Sequence, residues 1–241
     1  MTIYGSETEL DRATATADHW SVDPMTRHFL RALEELNKDV LLMGGAVEAM
    51  VARAVRAFLD RSVRESQQVV EGDRDINLQE LRIDEECLKI LALHQPTARD
   101  LRFVTGTMKI INDLERVADL AVNVAERGIV LAELPLRETP PAFVEMADRA
   151  RTMLTASLDA LVRRDTAKAE EVLRMDDPID ALLTSIFAEL EADMGKHPER
   201  IRPDLQILSA SKNVERIADH ATNVAEDVVY MVDGSIIRHR H

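Results

Sequence analysis

One cysteine, Cys87, stands among 241 residues. That scarcity excludes an internal disulfide and a multi-thiolate metal site, and it fits a reducing compartment such as the cytosol. Aromatic residues supply only 3% of the chain, and Gly and Pro number eight each. Ala, Leu, Val, Glu, Asp and Arg dominate instead, a mixture of helix formers with few turn-makers that points to an all-α protein. No uncharged apolar run reaches the ~18 residues of a membrane-spanning helix. The opening MTIYGSETELDRATATADHW also lacks a basic start followed by an apolar core, so the expectation is a cytoplasmic protein without membrane insertion. Positive charge is short as well: 30 basic against 44 acidic residues leave a net charge of −14. Such a surface repels a phosphate backbone and argues against nucleic-acid binding, while suiting cations or basic partner patches.

What the chain does have is a repeat. NDLERVADLAVNVAER at 112–127 returns as KNVERIADHATNVAED at 212–227. Nine of the fourteen pairs between 113–126 and 213–226 are identical, among them Glu115 with Glu215, Arg116 with Arg216, Asp119 with Asp219 and Asn123 with Asn223. Upstream the offset is 103 rather than 100: Phe58 pairs with Leu161, Arg61 with Arg164, Asp73 with Asp176, and Asn77 with Asp180. The chain therefore divides into two homologous halves, residues 25–134 and 135–241, preceded by a Thr-, Ala- and Asp-rich stretch, 1–24, that reads as a loosely ordered arm.

Punctuation divides each half into three helices, predicted at 27–61, 63–93, 98–133, 140–163, 166–194 and 204–233. Ser62 with Glu65 reads as a capping box, Asp165 stands where Ser62 does, Thr97 is placed to cap the third helix, and Thr139 before Pro140 reads as an N-cap with Pro at N1. No period-two alternation competes. The third and sixth helices carry apolar stripes at 3,4 spacing (Ile110, Leu114, Val117, Ala121 and Val124; Ala210, Val214, Ile217, Ala221 and Val224), which would bury against two neighbours each. Two tandem three-helix bundles are the simplest architecture.

At ~100° per residue, Glu215 and Asp219 fall on a face opposite the apolar stripe, as do Glu115 and Asp119. Like charges four apart on a helix repel by roughly 0.2–0.5 kcal/mol, a cost that Arg116 and Arg216 can each offset from i,i+3. A solvated face is the ordinary explanation. The second helix of each half weighs against it, because Asp73, Asn77, Glu80 and Asp84 share one stripe and Asp176 and Asp180 fill the first two matching positions. Facing carboxylate pairs without Cys or His suit a hard or borderline cation such as iron, manganese, magnesium or zinc. A buried di-iron oxidase centre is disfavoured, since no Glu-x-x-His occurs on the repeated helices and Ala118 and Ala218 stand three residues after the acids. His220 is matched by Leu120 and reads as a surface or packing residue. Cys87 shares an apolar phase with Ile76, Ile83 and Ile90 and reads as core. With no phosphate-cradling glycine loop and no nucleophile elbow, no enzyme is expected.

LERVADLAVNVAE, VERIADHATNVAE, HQPTARDLR at 94–102 and EGDRDINLQELRIDEEC at 71–87 together resemble the PhoU family of phosphate-signalling regulators, over residues 25 to about 233. The resemblance implies two tandem three-helix bundles and a negative regulator of phosphate uptake. That regulator would couple the ATPase subunit of a phosphate ABC transporter to the sensor histidine kinase of a two-component system. It also implies iron, zinc or manganese on Glu115 with Asp119 and Glu215 with Asp219, with Asp73, Asn77, Asp176 and Asp180 as helix-two partners. Ala118 and Ala218 depart from the glycine usual in that element, and Asn77 stands where the other half has Asp180. A metal-free helical scaffold that docks through its acidic faces is the alternative. A homodimer is left open, and any self-association of so charged a surface should be weak and salt-sensitive.

Overall fold

The computed structural model describes residues 24–235, with side chains from residue 27. Of the arm read at 1–24, all but Pro24 lies outside the described residues. Seven α-helices follow in order: α1 (Pro24–Leu59), α2 (Val63–His94), α3 (Ala98–Ala132), α4 (Pro141–Arg163), α5 (Thr166–Leu173), α6 (Asp177–Lys196) and α7 (Ile201–Asp233). Helices α1 to α3 pack as one bundle, and α4, α5 with α6, and α7 as the second. The bundles join mainly through α3 against α7, with α1 touching α4. Contacts of Lys109 with Asp227 and of Asp113 with His220 and Asn223 show that α3 and α7 run antiparallel.

Local chemistry explains where the helices begin and end. The Ser62 hydroxyl accepts the Glu65 N–H, and the Asp165 carboxylate accepts the Lys168 N–H at 3.0 Å, so both second helices start as their caps predict. Each is preceded by an arginine in the left-handed region, Arg61 and Arg164, both at φ 52°. Thr97 does occupy the N-cap of α3, but its side chain makes no capping bond, and its carbonyl receives the Asp100 and Leu101 N–H groups.

Two boundaries differ from expectation, both because of proline. The fourth helix starts at Pro141, with Pro140 rather than Thr139 as its cap. A residue before proline is pushed out of the helical region, and Pro140 accordingly sits at ψ 139°. The helix predicted over 166–194 is broken between Leu173 and Asp177. Pro178 cannot donate to a carbonyl four residues back and its ring crowds that turn. The chain therefore closes two short i,i+3 bonds, Arg174 to Glu171 and Met175 to Val172, and restarts with Asp176 as N-cap.

A single apolar core runs through both bundles, from Leu36 and Val47 through Ile110, Leu114 and Val124 to Met153, Ile186 and Val224. The predicted stripes of α3 and α7 are wholly buried in it. Cys87 is fully buried too, and burial, reinforced by Asp84 and Glu86, pushes its thiol up to about 12, leaving an inert core residue. Among the described residues no helix is long and apolar enough to cross a membrane.

A pair of acidic clusters at equivalent places

In the first bundle α2 lies along α3 and brings Asp73, Asn77 and Glu80 beside Glu115 and Asp119. The proximity shows in the electrostatics: burial raises the Glu115 carboxyl above its ordinary value, and the charges of Asp119, Glu80 and Asp73 raise it further, against the pull of Arg116. Asp73 is raised by burial and by Asp119, opposed by a hydrogen bond from Asn77. Asn77 Nδ2 donates to Asp73 Oδ2 at 2.9 Å, so the amide stands in for the second carboxylate of the other half. The remaining oxygens, Asp73 Oδ1 and Asn77 Oδ1, are buried without a hydrogen-bond partner. Arg116 reaches Asp119 at 3.1 Å and Glu115 at 3.5 Å, the i,i+3 compensation that the spacing predicts.

The second bundle repeats the arrangement with α6 against α7. Burial raises Glu215, and Asp219, Asp180 and Asp176 raise it further; Asp219 is raised by burial and then by Asp180. All eight residues singled out by sequence thus fall into two clusters, four in each bundle. The clusters differ in support. Asp73 and Asn77 lie within α2, whereas Asp176 caps α6 and Asp180 sits in its first turn, where the positive end of the helix dipole favours carboxylates.

The acids are less exposed than a helical wheel suggests. The Glu115 side chain retains 22% of its accessible area, because α2 covers the flank of α3 that an isolated wheel leaves open. Glu215 and Asp219 are likewise half-buried, while Asp180 is exposed. Of the two readings of His220, surface or packing, the structure bears out packing. Its Nδ1 lies 2.8 Å from Asp113 Oδ1, which also accepts from Asn223 Nδ2, so it joins the two bundles. Leu120, its counterpart, carried no hint of that bond. Arg137 was also missed: its Nε donates to the fully buried Asp204 at 2.8 Å, and it lies 3.7 Å from Asp193.

A carboxyl raised in the folded state binds its proton more readily there than in the unfolded chain. The native protein thus holds more protons between the unfolded pKa, about 4 for Asp and Glu, and the raised folded values, and stability falls as pH rises through that window. Without added metal, the protein should gain thermal stability on going from pH 7 to about pH 5. Glu215→Gln with Asp219→Asn should melt a few degrees higher at pH 7 and show a flatter profile over the same range. A variant no more stable at pH 7 than the parent would mean that the cluster carries no net repulsion.

Among the described residues no three His, Cys, Asp or Glu side chains are gathered closely enough to ligate one ion as they stand. The donor set is nonetheless all oxygen, strongly anionic and supplied from two helices in each bundle. With the unpartnered oxygens of Asp73 and Asn77, that chemistry fits a hard cation.

The class is now defined: a duplicated, all-α protein whose two three-helix bundles each hold an acidic cluster. The PhoU domain model matches residues 40–128 and again 143–228. The chain belongs to the PhoU family. It is 40% identical over 224 residues to a phosphate-specific transport system accessory protein PhoU homolog of Pseudomonas aeruginosa, covering 90% of this chain and 92% of that one. It is 39% identical over 218 residues to the protein of the same description from Pseudomonas putida, covering 89% and 84%. The crystal structure of PhoU from P. aeruginosa superimposes with a TM-score of 0.82 at 40% identity over 86% of this chain and all (100%) of that one. The phosphate transport system regulatory protein PhoU from Streptococcus pneumoniae gives 0.81 at 28% identity, covering 87% and 99%.

Proposed function

We propose that this chain is an accessory regulator of phosphate uptake that docks on transport and signalling proteins and binds metal at its two acidic clusters. The relatives named above support the accessory role in phosphate transport. The ATPase subunit of the transporter and a sensor histidine kinase are the partners that the family resemblance implies, and a cytoplasmic, non-catalytic protein suits both. Metal binding rests on one observation, the duplicated cluster in which burial and neighbouring acids raise the carboxyls of Asp73 and Glu115 in one bundle and of Glu215 and Asp219 in the other. Repulsion of that kind, retained at both equivalent places, is relieved by a cation.

In the first bundle Asp73, Asn77, Glu115 and Asp119 would hold the ion, and in the second Asp176, Asp180, Glu215 and Asp219. An iron, zinc or manganese ion would supply positive charge that cross-links two helices. Asn77 lowers the formal charge of the first cluster, where Arg116 pairs with the acids much as Arg216 pulls on those of the second, so the second cluster is the stronger binder. That same Arg116 pairing favours a rival reading, in which the acidic faces are metal-free docking surfaces.

Elemental analysis of the purified protein before and after chelation separates them, with binding to the transporter ATPase followed in parallel. Bound metal should be stoichiometric, drop by half or more in Glu215→Ala with Asp219→Ala, and leave helicity unchanged. A ligand present at 100 times its Kd should stabilise the parent by about 2.7 kcal/mol. Metal content unchanged by the substitutions would refute the cluster assignment alone. Loss of metal with ATPase binding intact would favour the scaffold, and absence of ATPase binding in every form would remove the proposed partner.

A further inference from the structure

The outer face of α2, turned away from the core, carries three leucines that its counterpart in the other half lacks. Leu78, Leu81 and Leu88 stand there 49%, 58% and 51% exposed. At about 100° per residue they fall within an arc of about 80°, along a stripe about 15 Å in length. Single exposed leucines are ordinary on a protein surface, whereas several aligned on one face mark a place of contact. Packing within the bundle gives no reason for them. By the internal repeat they correspond to Ala181, Thr184 and Glu191 of α6, which are exposed as well. The same position in the fold is therefore filled by small or polar side chains in the second bundle.

The surroundings of the stripe are acidic. Between Glu71 and Lys89, α2 carries seven acidic residues against three basic ones. One of the three, Lys89, is already held by Glu86 at 2.6 Å. On the side toward α1 the apolar surface continues to Leu42, which is 59% exposed and has Glu145 as its counterpart. Leu42 and Asp39 line a cavity of about 130 Å³ with Gln79, Arg82 and Ile83 of α2. In its wall Gln79 Oε1 is buried without a hydrogen-bond partner, so an N–H donor from a docked side chain would complete it.

We propose that this face of the first bundle receives a basic amphipathic helix of a partner protein. The helix lays its apolar side on Leu78, Leu81 and Leu88, sets lysines or arginines against the acids beside them, and reaches Gln79 with one N–H-bearing side chain. A straight stripe of this length matches about three turns of a helix, read by side chains at i, i+3 and i+7. Charge selects the occupant: a second copy of this chain, or an anionic lipid surface, would set negative charge against negative. The proposal rests on the docking reading given above and deepens it by naming a face and the chemistry of the partner. None of the leucines belongs to an acidic cluster, so it stands whether or not metal binds.

The probe is a peptide of leucine and lysine in helical phase, Leu-Lys-Lys-Leu-Leu-Lys-Leu-Leu-Lys-Lys-Leu-Leu-Lys-Leu. It is titrated into the full chain with leucine methyl groups labelled for NMR. Saturable shifts should appear at Leu78, Leu81 and Leu88, with a Kd on the order of 10–100 μM. Leu81→Ser with Leu88→Ser, at exposed positions that leave the melting temperature unchanged, should weaken binding about tenfold, since two leucines no longer gain apolar cover. Thr184→Ala on α6 should change nothing. Glu85→Lys should weaken binding about threefold at low salt, a difference that fades at high salt. Affinity indifferent to the leucine substitutions overturns the proposal, as does equal binding of a peptide of the same composition scrambled out of helical phase. Shifts confined to other surfaces, or no binding at all, overturn it too. Capture of anionic phospholipid vesicles that is lost with the leucines would assign the face to lipid instead. No transporter or kinase takes part, so failure of those partners to bind is read separately from failure of this face.

Discussion

Arg137→Met should destabilise the protein by about 3–5 kcal/mol at pH 7. Asp204 retains none of its accessible surface, and its Oδ1 is held at 2.8 Å by Arg137 Nε. Its Oδ2 is buried without a partner. Burial raises the Asp204 carboxyl above its ordinary value and neighbouring Asp193 adds to the rise, even though Arg137 pulls it down, so burial and repulsion together outweigh pairing in the native protein. Remove the guanidinium and the remaining charge is uncompensated. Folding then proceeds with a protonated Asp204, and at neutral pH that protonation costs free energy. The deficit should shrink as pH falls toward 5, because the proton becomes cheap to take up from solution. Arg137→Met combined with Asp204→Leu should recover most of the loss, since replacing a whole buried pair by apolar groups is often neutral. Urea denaturation at pH 7 and pH 5 measures all three. A single variant within 1 kcal/mol of the parent would show that the linker is not held by this pair.

Phe143→Ala is expected to cost a similar amount, about 3–5 kcal/mol. Phe143 is fully buried in the first turn of α4, and its ring centre lies 5.0 Å from that of Phe58 near the end of α1, tilted by 38°. The space it leaves cannot easily close. A Cβ added to Gly128 would stand 3.1 Å from the Phe58 Cα, so α3 already lies hard against the other side of Phe58. Because one core runs through both bundles, thermal unfolding of the variant should remain a single transition, shifted down. Two resolved transitions would show that the halves fold independently and that the α3 and α7 interface is only a docking surface.

Why some of this was legible in sequence and some was not follows from the range of the forces involved. The repeat, the helical phase of the stripes, the Ser62 and Asp165 caps and the burial of Cys87 are set within a few residues, and the structure bears them out. Pro178 was in plain view within a helix predicted unbroken, and its consequence was missed because the apolar spacing on both sides, Val172 and Ile179, stays in register across the break. His220 looked inert because its counterpart is Leu120, yet Asp113, its partner, stands 107 residues away.

An all-α protein of two homologous halves, with eight oxygen-bearing side chains at matching positions, could be read from the chain alone, because helical periodicity and like-charge spacing are local properties. That α2 meets α3, and α6 meets α7, closely enough for neighbouring acids to raise the Asp73, Glu115, Glu215 and Asp219 carboxyls follows from packing between helices. Charge repulsion and burial act across space, between residues that the chain's own numbering keeps far apart.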